Sequence, residues 1–299
     1  MWFKNLQLFV TDNRWTLSAA DLEEKLRETV LQPVSGLQWQ SEGWLSPRGD
    51  AQLVFGQDQQ LLFAYGEEKK LLPAGVIRDE VASRAKTFEQ VKGFAPPRKH
   101  LRELKEQVTN ELLPRAFGQR KVTRAWIDPT QGLLVVDAAS MAAAESLVAL
   151  LGRTVEGNGF TPLSCEPSVG AQMTQWLSAG EAPAPFDLED ECELVSPQAE
   201  RPAVRYARHA LDLPEIRAHL SAGKFVQRLR LSWRESLRFT LDDQLQIKRL
   251  QVGEISSDSD SESDPDTAFA ADFILMCSTF GPMIADLRRV LSADGSPSS

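Results

Sequence analysis

The first seventy residues alternate between strand-like and helix-like spacing of apolar positions. Residues 3–10 form a short apolar run that predicts a strand. Ser18 has the character of a helix N-cap, and the apolar residues at every fourth position after it predict a helix that ends near Leu31. Residues 51–55 and 60–65 predict two strands joined by a hairpin loop. This part of the chain therefore has an α+β pattern.

Beyond Pro73 the apolar positions follow helical spacing in two stretches, 77–88 and 101–112. The segment 93–97 contains glycine and proline and interrupts this spacing. The pattern predicts two helices that form a hairpin arm.

The second predicted arm helix has a basic side. Arg98, Arg102 and Lys105 project within an arc of about 60° when successive residues advance by about 100°. We expect these side chains to form one basic face along the helix. The alternative is an ordinary solvated face on which Glu103 and Glu106 neutralise the cations locally.

The middle of the chain returns to strand spacing. Residues 122–127 and 133–137 flank a turn and predict a hairpin, and a helix capped by Ser140 is expected to run to about Leu151. Strand pairs beside a single helix thus occur twice, which hints at duplicated α+β units without a residue-level repeat.

The most regular strand pattern lies at residues 224–233. Period-two alternation places Phe225, Leu229, Leu231 and Trp233 on one face and Lys224, Arg228 and Arg230 on the other. The strand at 237–241 repeats the scheme, and Lys248 follows. We expect an antiparallel sheet with one apolar face and one basic face that contacts phosphates. The alternative is that basic side chains only fill the solvent face of a half-buried sheet.

These elements predict an α+β protein of antiparallel sheets with packed helices. We assign residues 1–73 and 118–178 to a central α+β domain, 74–117 to the helical arm, and 179–299 to a C-terminal α+β domain with the basic-faced sheet. The acidic, proline-rich stretch 180–197 is predicted to connect domains.

Charge is sorted along the chain. The protein has 33 Lys and Arg against 42 Asp and Glu, a net charge of −9. Residues 78–124 and 201–250 nevertheless each carry a net charge of +6, and acidic residues collect at 181–200 and 256–266. Such sorting suits a protein that offers a basic surface to a polyanion, although charges on solvated faces also cluster by chance. The acidic run Ser256–Asp266 is expected to be a disordered loop.

Few catalytic, metal-binding or targeting patterns occur in the sequence. The three cysteines are far apart and lack Cys-x-x-Cys spacing, which argues against a disulfide framework or a thiolate zinc site. There is no phosphate-binding glycine loop and no paired-histidine motif. We therefore expect no cofactor, no metal and no enzyme activity. The absence of a long apolar run and of a signal-peptide pattern predicts a cytoplasmic protein without a membrane partner.

Two carboxylates leave an enzymatic alternative open. Asp128 and Asp137 are candidate magnesium ligands of a nuclease. Asp128 followed by Pro129 is also typical of an ordinary turn. A metal-dependent DNA-processing enzyme and a protein-interaction scaffold without DNA affinity are therefore the alternatives to a protein that only binds a polyanion.

Several short segments along the chain form a recognisable set: MWFKNL at 1–6, Gly43-Trp44 with Pro47, EEKKLLP at 67–73, LLPRAF at 112–117, Trp126-Ile127-Asp128 with Gly132-Leu133 and Val136-Asp137, and ADFILM at 271–276. In this order they resemble the recombination-associated protein RdgC family of bacteria. Together these segments span nearly the whole chain.

The resemblance implies a ring-shaped homodimer with a positively lined hole through which duplex DNA passes. Members of the family bind DNA without sequence specificity or a nucleotide cofactor, and they restrain strand exchange by RecA. We therefore expect double-stranded DNA as the main ligand, with single-stranded DNA as an alternative, and a nucleoid-associated location.

On this resemblance, and on the basic stretches, we assign site residues. The DNA contacts are assigned to Arg98, Lys99, Arg102, Lys105, Arg115, Arg120, Lys121, Arg205, Arg208, Lys224, Arg228, Arg230 and Lys248. Phe117 and His209 are assigned to contacts between subunits. Phe117 is alternatively part of the core at a helix end. Arg205, Arg208 and His209 form a cluster that belongs either to a subunit contact or to the DNA surface.

Overall fold

A computed structural model describes residues 2–198, 202–212, 214–253 and 264–292. This part of the chain forms twelve strands and seven α-helices, so the predicted α+β class with a large antiparallel sheet is confirmed. The strands are β1 (Leu6–Thr11), β2 (Gln40–Leu45), β3 (Val54–Gln57), β4 (Gln60–Leu71), β5 (Phe117–Asp128), β6 (Leu133–Asp137), β7 (Phe160–Pro162), β8 (Phe186–Val195), β9 (Ala203–Ala207), β10 (Phe225–Trp233), β11 (Leu237–Asp242) and β12 (Ile247–Val252). The helices are α1 (Ala19–Arg27), α2 (Ala74–Lys92), α3 (Arg98–Leu112), α4 (Met141–Thr154), α5 (Val169–Ala179), α6 (Pro214–Ser221) and α7 (Pro265–Ser292).

Local sequence signals place most element boundaries well. β6 occupies the predicted residues, and α4 begins after Ser140, whose hydroxyl accepts a hydrogen bond from the Ala143 amide. The prediction that α1 continues to Leu31 is wrong, because α1 ends at Arg27. The Leu31 amide instead donates to the carbonyl oxygen of Trp44 at 2.8 Å, so pairing with β2 overrides the helical spacing.

The chain forms two compact units. The first comprises Met1–Ala19, Phe55–Leu62 and Arg124–Ser299, and the second comprises Ala20–Val54 and Phe63–Thr123. The predicted division into a central domain, an arm and a C-terminal domain stays a prediction.

The first unit contains the longer run of paired strands. Its strand order is β6-β1-β12-β11-β10-β8-β9, all neighbours are antiparallel, and β7 also pairs with β1. α7 packs within the apolar core of this unit: Phe273 meets Phe55 edge-on, and Phe280 meets Trp2. The indole of Trp233 donates to Asp286 of α7 at 3.0 Å. The apolar side of the sheet is thereby buried, and its charged residues lie on the other side.

The prediction that residues 180–197 connect domains is wrong. Residues 186–195 form β8, which lies between β10 and β9. Cys192 and Leu194 are buried, while Glu189, Glu191 and Glu193 alternate with them and remain partly exposed. The many acidic residues of this segment suggested an exposed connection. It is a strand with one apolar face and carboxylates on the other.

The predicted face of β10 is shifted at its start. Val226 is fully buried and Phe225 only partly, the reverse of strict alternation. The register with β8 changes between Val226 and Arg228, as an inserted residue requires. From Leu229 to Trp233 the predicted apolar face is buried as expected.

The second unit contains the strand order β2-β4-β5 and the two helices α2 and α3. Trp44 is buried and lies edge-on against Phe63, at a ring-centroid distance of 5.6 Å. α2 and α3 pack against each other, and Arg84 of α2 bonds Glu111 of α3 at 2.6 Å. This guanidinium holds the pKa of the Glu111 carboxyl below its ordinary value. The role of the helix pair as an arm stays a prediction.

α7 is long and apolar enough to cross a membrane when judged by length and composition alone. A helix that packs in a protein core has the same properties, and α7 buries Phe273, Phe280 and Leu287. Of the predicted acidic loop Ser256–Asp266, residues 256–263 lie outside the described residues, and Pro265 begins α7.

The three cysteines are free, and two of them, Cys192 and Cys277, are buried. Burial raises the pKa of the Cys192 thiol to about 11 and also raises the pKa of the Cys277 thiol. Partial burial raises the pKa of Cys165 as well. The neutral thiol is therefore the stable form at each position.

Two glycines give a matched test of the packing. A Cβ at Gly43 would lie 2.5 Å from the Leu31 amide nitrogen, whereas a Cβ at Gly152 in α4 meets nothing within 4 Å. Because backbone cannot yield, Gly43→Ala should lower the free energy of unfolding by at least about 2 kcal/mol. Gly152→Ala should raise it by up to about 1 kcal/mol through helix propensity. Urea unfolding of both variants checks this, and equal midpoints would contradict the close approach of Gly43 to Leu31.

Candidate nucleic-acid interface

A basic surface of the second unit lies on α3. The helix begins after Pro97, and its residues Leu104 and Val108 are buried. Arg98, Arg102 and Lys105 point away from this apolar side and are exposed. We call these three residues the α3 cation row.

The α3 cation row has no acidic partner among the residues that the structure describes. Glu103 approaches His100 at 3.5 Å and does not pair with the arginines. The alternative that local glutamates neutralise this face is therefore wrong. The row presents three unpaired positive charges to solvent, together with exposed Lys99 beside it.

The N-terminal turn of α3 adds to this positive potential. The turn contains no acidic residue, and Pro97 makes no side-chain capping hydrogen bond. Free backbone N–H groups and the helix dipole favour an anion at this end of a helix. The row itself extends for about 10 Å along the axis at 1.5 Å per residue, over which duplex DNA carries about six charges. An anionic backbone complements this surface.

The other predicted contacts of the second unit are less uniform. Arg115 follows α3, Lys121 lies on β5, and both are exposed. Arg120 is also exposed but bonds Glu68 at 2.8 Å. This bond holds the pKa of the Glu68 carboxyl below its ordinary value, so the pair persists into mildly acidic solution.

The charged face of the first unit's sheet differs from the prediction. We expected a basic face, and the structure instead shows a face on which cations and carboxylates are paired. The pairs are Arg228–Glu193 at 2.9 Å, Arg230–Asp190 at 4.0 Å, Arg238–Glu189 at 3.2 Å, Lys248–Asp242 at 3.0 Å, Arg249–Glu191 at 2.7 Å and Arg205–Glu191 at 3.5 Å. The reason is that β8 lies between β9 and β10 and its carboxylates contact arginines of these strands and also Arg238 of β11 and Arg249 of β12. We call this surface the paired face.

A depression of about 380 Å³ lies at the centre of the paired face. Arg205, Arg228, Lys248 and Arg249 line it together with Glu191 and Glu193. The hydrogen bond from Arg249 holds the pKa of Glu191 below its ordinary value. Sequence analysis did not select Arg249, because it falls where the alternation of β12 is irregular. The alternating glutamates of β8 were the available signal for the pairing.

The third predicted cluster is only partly brought together. Arg205, Arg208 and His209 are all exposed. Arg205 belongs to β9 and reaches the paired face through Glu191. The backbone amide of His209 donates to the carbonyl oxygen of Asp190. This bond does not involve the imidazole side chain. Lys224 precedes β10 and is partly buried.

Phe117 is 83% exposed at the start of β5, so the alternative that it is helix-end core is wrong. The exposed large apolar side chains among the described residues all belong to the second unit. Lys70 bonds the carbonyl oxygen of Ala116 through its ammonium group and that of Trp39 through its amide. Lys70 thus connects backbone groups at or next to three exposed apolar residues, Trp39, Leu71 and Phe117.

The two candidate magnesium ligands, Asp128 and Asp137, accept hydrogen bonds from backbone amides. Asp128 is buried and accepts bonds from the amides of Thr130 and Gln131, as the turn interpretation expects. Asp137 accepts from the amides of Lys4 and Asn5. They lie at opposite ends of the β5–β6 hairpin, about 13 Å apart at 3.3 Å per residue. Within the described ranges, no three His, Cys, Asp or Glu side chains are grouped as a metal site requires.

The position of Arg98 predicts that helix stability and anion binding can be separated. Arg98→Glu places an acid in the first turn and four residues before Arg102, so it should raise the free energy of unfolding by about 1 kcal/mol. It should also weaken DNA binding, because it removes one cation and pairs a second. Thermal unfolding and a DNA titration measure the two effects. Loss of both stability and binding would contradict the placement of Arg98.

The comparisons with known proteins agree over the whole chain. A family model described as "Putative exonuclease, RdgC" matches residues 1–294. The chain is 43% identical to recombination-associated protein RdgC of Cupriavidus pinatubonensis over 296 residues, which cover 98% of this chain and 99% of the relative. It is 40% identical to the protein of the same name from Herminiimonas arsenicoxydans, with 98% and 99% covered. It is 41% identical to the protein of the same name from Burkholderia ambifaria, with 98% of this chain and 97% of the relative covered. The chain therefore belongs to the RdgC family of recombination-associated proteins.

Proposed function

We propose that this protein binds DNA without sequence preference, as a dimeric ring around the duplex, and thereby restrains recombination by RecA. The observation that supports this most directly is the α3 cation row, three exposed and unpaired cations in a protein whose net charge is −9. Cations of this kind reach phosphates and carry no sequence information.

The ring, the antagonism of RecA and the nucleoid location come from the family resemblance. The printed name of the relatives associates those proteins with recombination. Occupation of DNA by a bound protein would be enough to restrain strand exchange, so no contact with RecA is required. Double-stranded DNA is the proposed ligand, and single-stranded DNA is the alternative that a titration with both forms decides.

The subunit contact is proposed at Phe117, with His209 at the opposite contact. A phenylalanine that is 83% exposed gains free energy when a partner covers it. Trp39 and Leu71 are also exposed apolar residues of the second unit. A second copy of the chain is the partner that a homodimer requires.

DNA cleavage is the competing function, because the family description includes the word exonuclease. Cleavage would require Asp128, Asp137 or both as metal ligands. Incubation of end-labelled linear duplex with Mg²⁺ or Mn²⁺ separates the two functions, and we expect the DNA to stay intact. A scaffold without DNA affinity would show no binding even at low salt.

The α3 cation row gives a quantitative prediction for DNA binding. Replacing Arg98, Arg102 and Lys105 together by Gln should reduce the slope of log K against log salt by about 2.7, at about 0.9 for each phosphate that is no longer neutralised. The loss of affinity should be equal for unrelated DNA sequences. Fluorescence anisotropy across a NaCl series measures it. Arg27→Gln is the matched control, because Arg27 is an exposed helical cation paired with Glu23. An unchanged slope, or a loss that depends on sequence, would refute the assignment.

Phe117 gives a prediction for the ring. Phe117→Ala should raise the dimer dissociation constant at least tenfold, with unfolding free energy changed by less than about 0.5 kcal/mol as for other surface positions. Analytical ultracentrifugation measures the dimer. Salt-sensitive complexes that leave a linear duplex but remain on a closed circle support encirclement, and this retention should be lost in the variant.

Val91→Ala is the control, because Val91 is also an exposed apolar residue of the second unit, at 75%. An unchanged dimer in Phe117→Ala would remove Phe117 from the subunit contact. Equal escape of the unmodified protein from linear and circular DNA would leave a DNA-binding protein that does not encircle its ligand.

A further inference from the structure

The cations of the paired face have carboxylate partners, and those of the α3 cation row do not. Each cation on the paired face has a carboxylate within 4.0 Å, whereas no described acid pairs with the α3 cation row. Four of the five carboxylates come from one strand, β8: Glu189, Asp190, Glu191 and Glu193. A single strand therefore neutralises much of a surface that is otherwise strongly basic.

The pairing is concentrated at the central depression. Glu191 lies between Arg249, at 2.7 Å, and Arg205, at 3.5 Å, and Glu193 bonds Arg228 at 2.9 Å. The three arginine side chains remain about half exposed, at 46%, 60% and 47% respectively. Exposed ion pairs of this kind are weak and can be exchanged for other anions at small cost.

Arg249 is held toward the depression by special local structure. Its backbone φ of 52° is in the left-handed region, which is uncommon for a residue other than glycine. The irregularity coincides with the register shift between β11 and β12 near Thr240, whose hydroxyl accepts from the Arg249 guanidinium at 2.8 Å. The Arg249 amide donates to the side chain of Asn5 at 3.2 Å. Strained backbone that is held by several bonds is typical of functional positions.

Carboxylate and phosphodiester groups each offer arginine two oxygens that can accept a bidentate pair of hydrogen bonds. A phosphate that enters the depression can therefore take over the hydrogen bonds that Glu191 and Glu193 now accept. The displaced carboxylates would then attract cations from solution. This uptake offsets the counterions that DNA releases, so such contacts add little salt dependence.

We propose that Glu191 and Glu193 occupy the positions of DNA phosphates on the paired face and are exchanged for them when DNA binds. The inference rests on the proposed DNA-binding function and deepens it. On this proposal the glutamates of β8 lower the affinity of the sheet for DNA. The affinity is therefore weaker than the number of arginines on the sheet would give without them.

The test is the double variant Glu191→Gln with Glu193→Gln, which keeps side-chain size and a hydrogen-bond acceptor. Each substitution frees one positive charge and should make the slope of log K against log salt steeper by about 0.9. The double variant should therefore have a slope that is steeper by about 1.8. If both proteins bind equally at 1 M salt, this corresponds to about eightfold tighter binding for each substitution at 0.1 M. Anisotropy with a linear duplex measures both quantities, and circular dichroism verifies the fold.

Glu145→Gln is the matched control, because Glu145 is exposed on α4 in the same unit and has no ion pair within the described residues. It changes the net charge by the same amount per site and should alter affinity less than twofold. The single variants Glu191→Gln and Glu193→Gln should each produce about half of the change in slope.

The outcomes separate this proposal from the proposed function. If the unmodified protein binds DNA and the double variant matches Glu145→Gln, the exchange is refuted and DNA binding stands. If the unmodified protein fails to bind at low salt, both proposals are refuted even when the double variant binds, because the glutamates of the unmodified protein are then never exchanged for phosphates.

Discussion

The structure depends on burial of one side of the antiparallel sheet in the first unit. α7 and the neighbouring apolar residues cover that side, and they bury large rings such as Phe273 and Phe280. Because strand side chains alternate, the charged residues of β8, β10, β11 and β12 are thereby confined to the remaining side. Charges gathered on one surface must pair or repel, and the acidic strand β8 supplies the partners. The charge pattern of the surface thus follows from packing of the core.

The same sequence feature, a cluster of cations, has two different outcomes in the two units. On α3 the apolar stripe turns inward and the cations project into solvent, where no described acid reaches them. On the sheet, the cations find carboxylates from a strand that lies far from them in the chain, as in Arg228–Glu193 and Arg238–Glu189. The first surface favours long-range attraction of a polyanion, and its strength depends on salt. The second favours close, exchangeable contacts.

Local signals in the sequence predicted what local physics determines. The Ser140 cap, the β6 strand and the apolar stripe of α3 depend on neighbours within a few residues, and the structure confirms them. The end of α1 was not predictable, because Val30 and Leu31 pair with Trp44. β8 was mistaken for a connection because acidity was taken as exposure, although only its sheet partners decide which side is buried. The burial of Val226 was not predicted, because a bulge in β10 inverts the alternation of buried and exposed side chains there. The cations were located correctly, but their partners are distant in sequence.

The burial of the cysteines has a practical consequence for work on this protein. A thiol reacts with maleimides, peroxide or alkylating agents through its thiolate, and the surroundings of all three cysteines disfavour that form. The two buried thiols, Cys192 and Cys277, are therefore expected to react slowly with such reagents at neutral pH. A single cysteine introduced at an exposed position of α3 would carry a fluorophore almost alone. Such a label would report on changes around α3, with the natural thiols left in place.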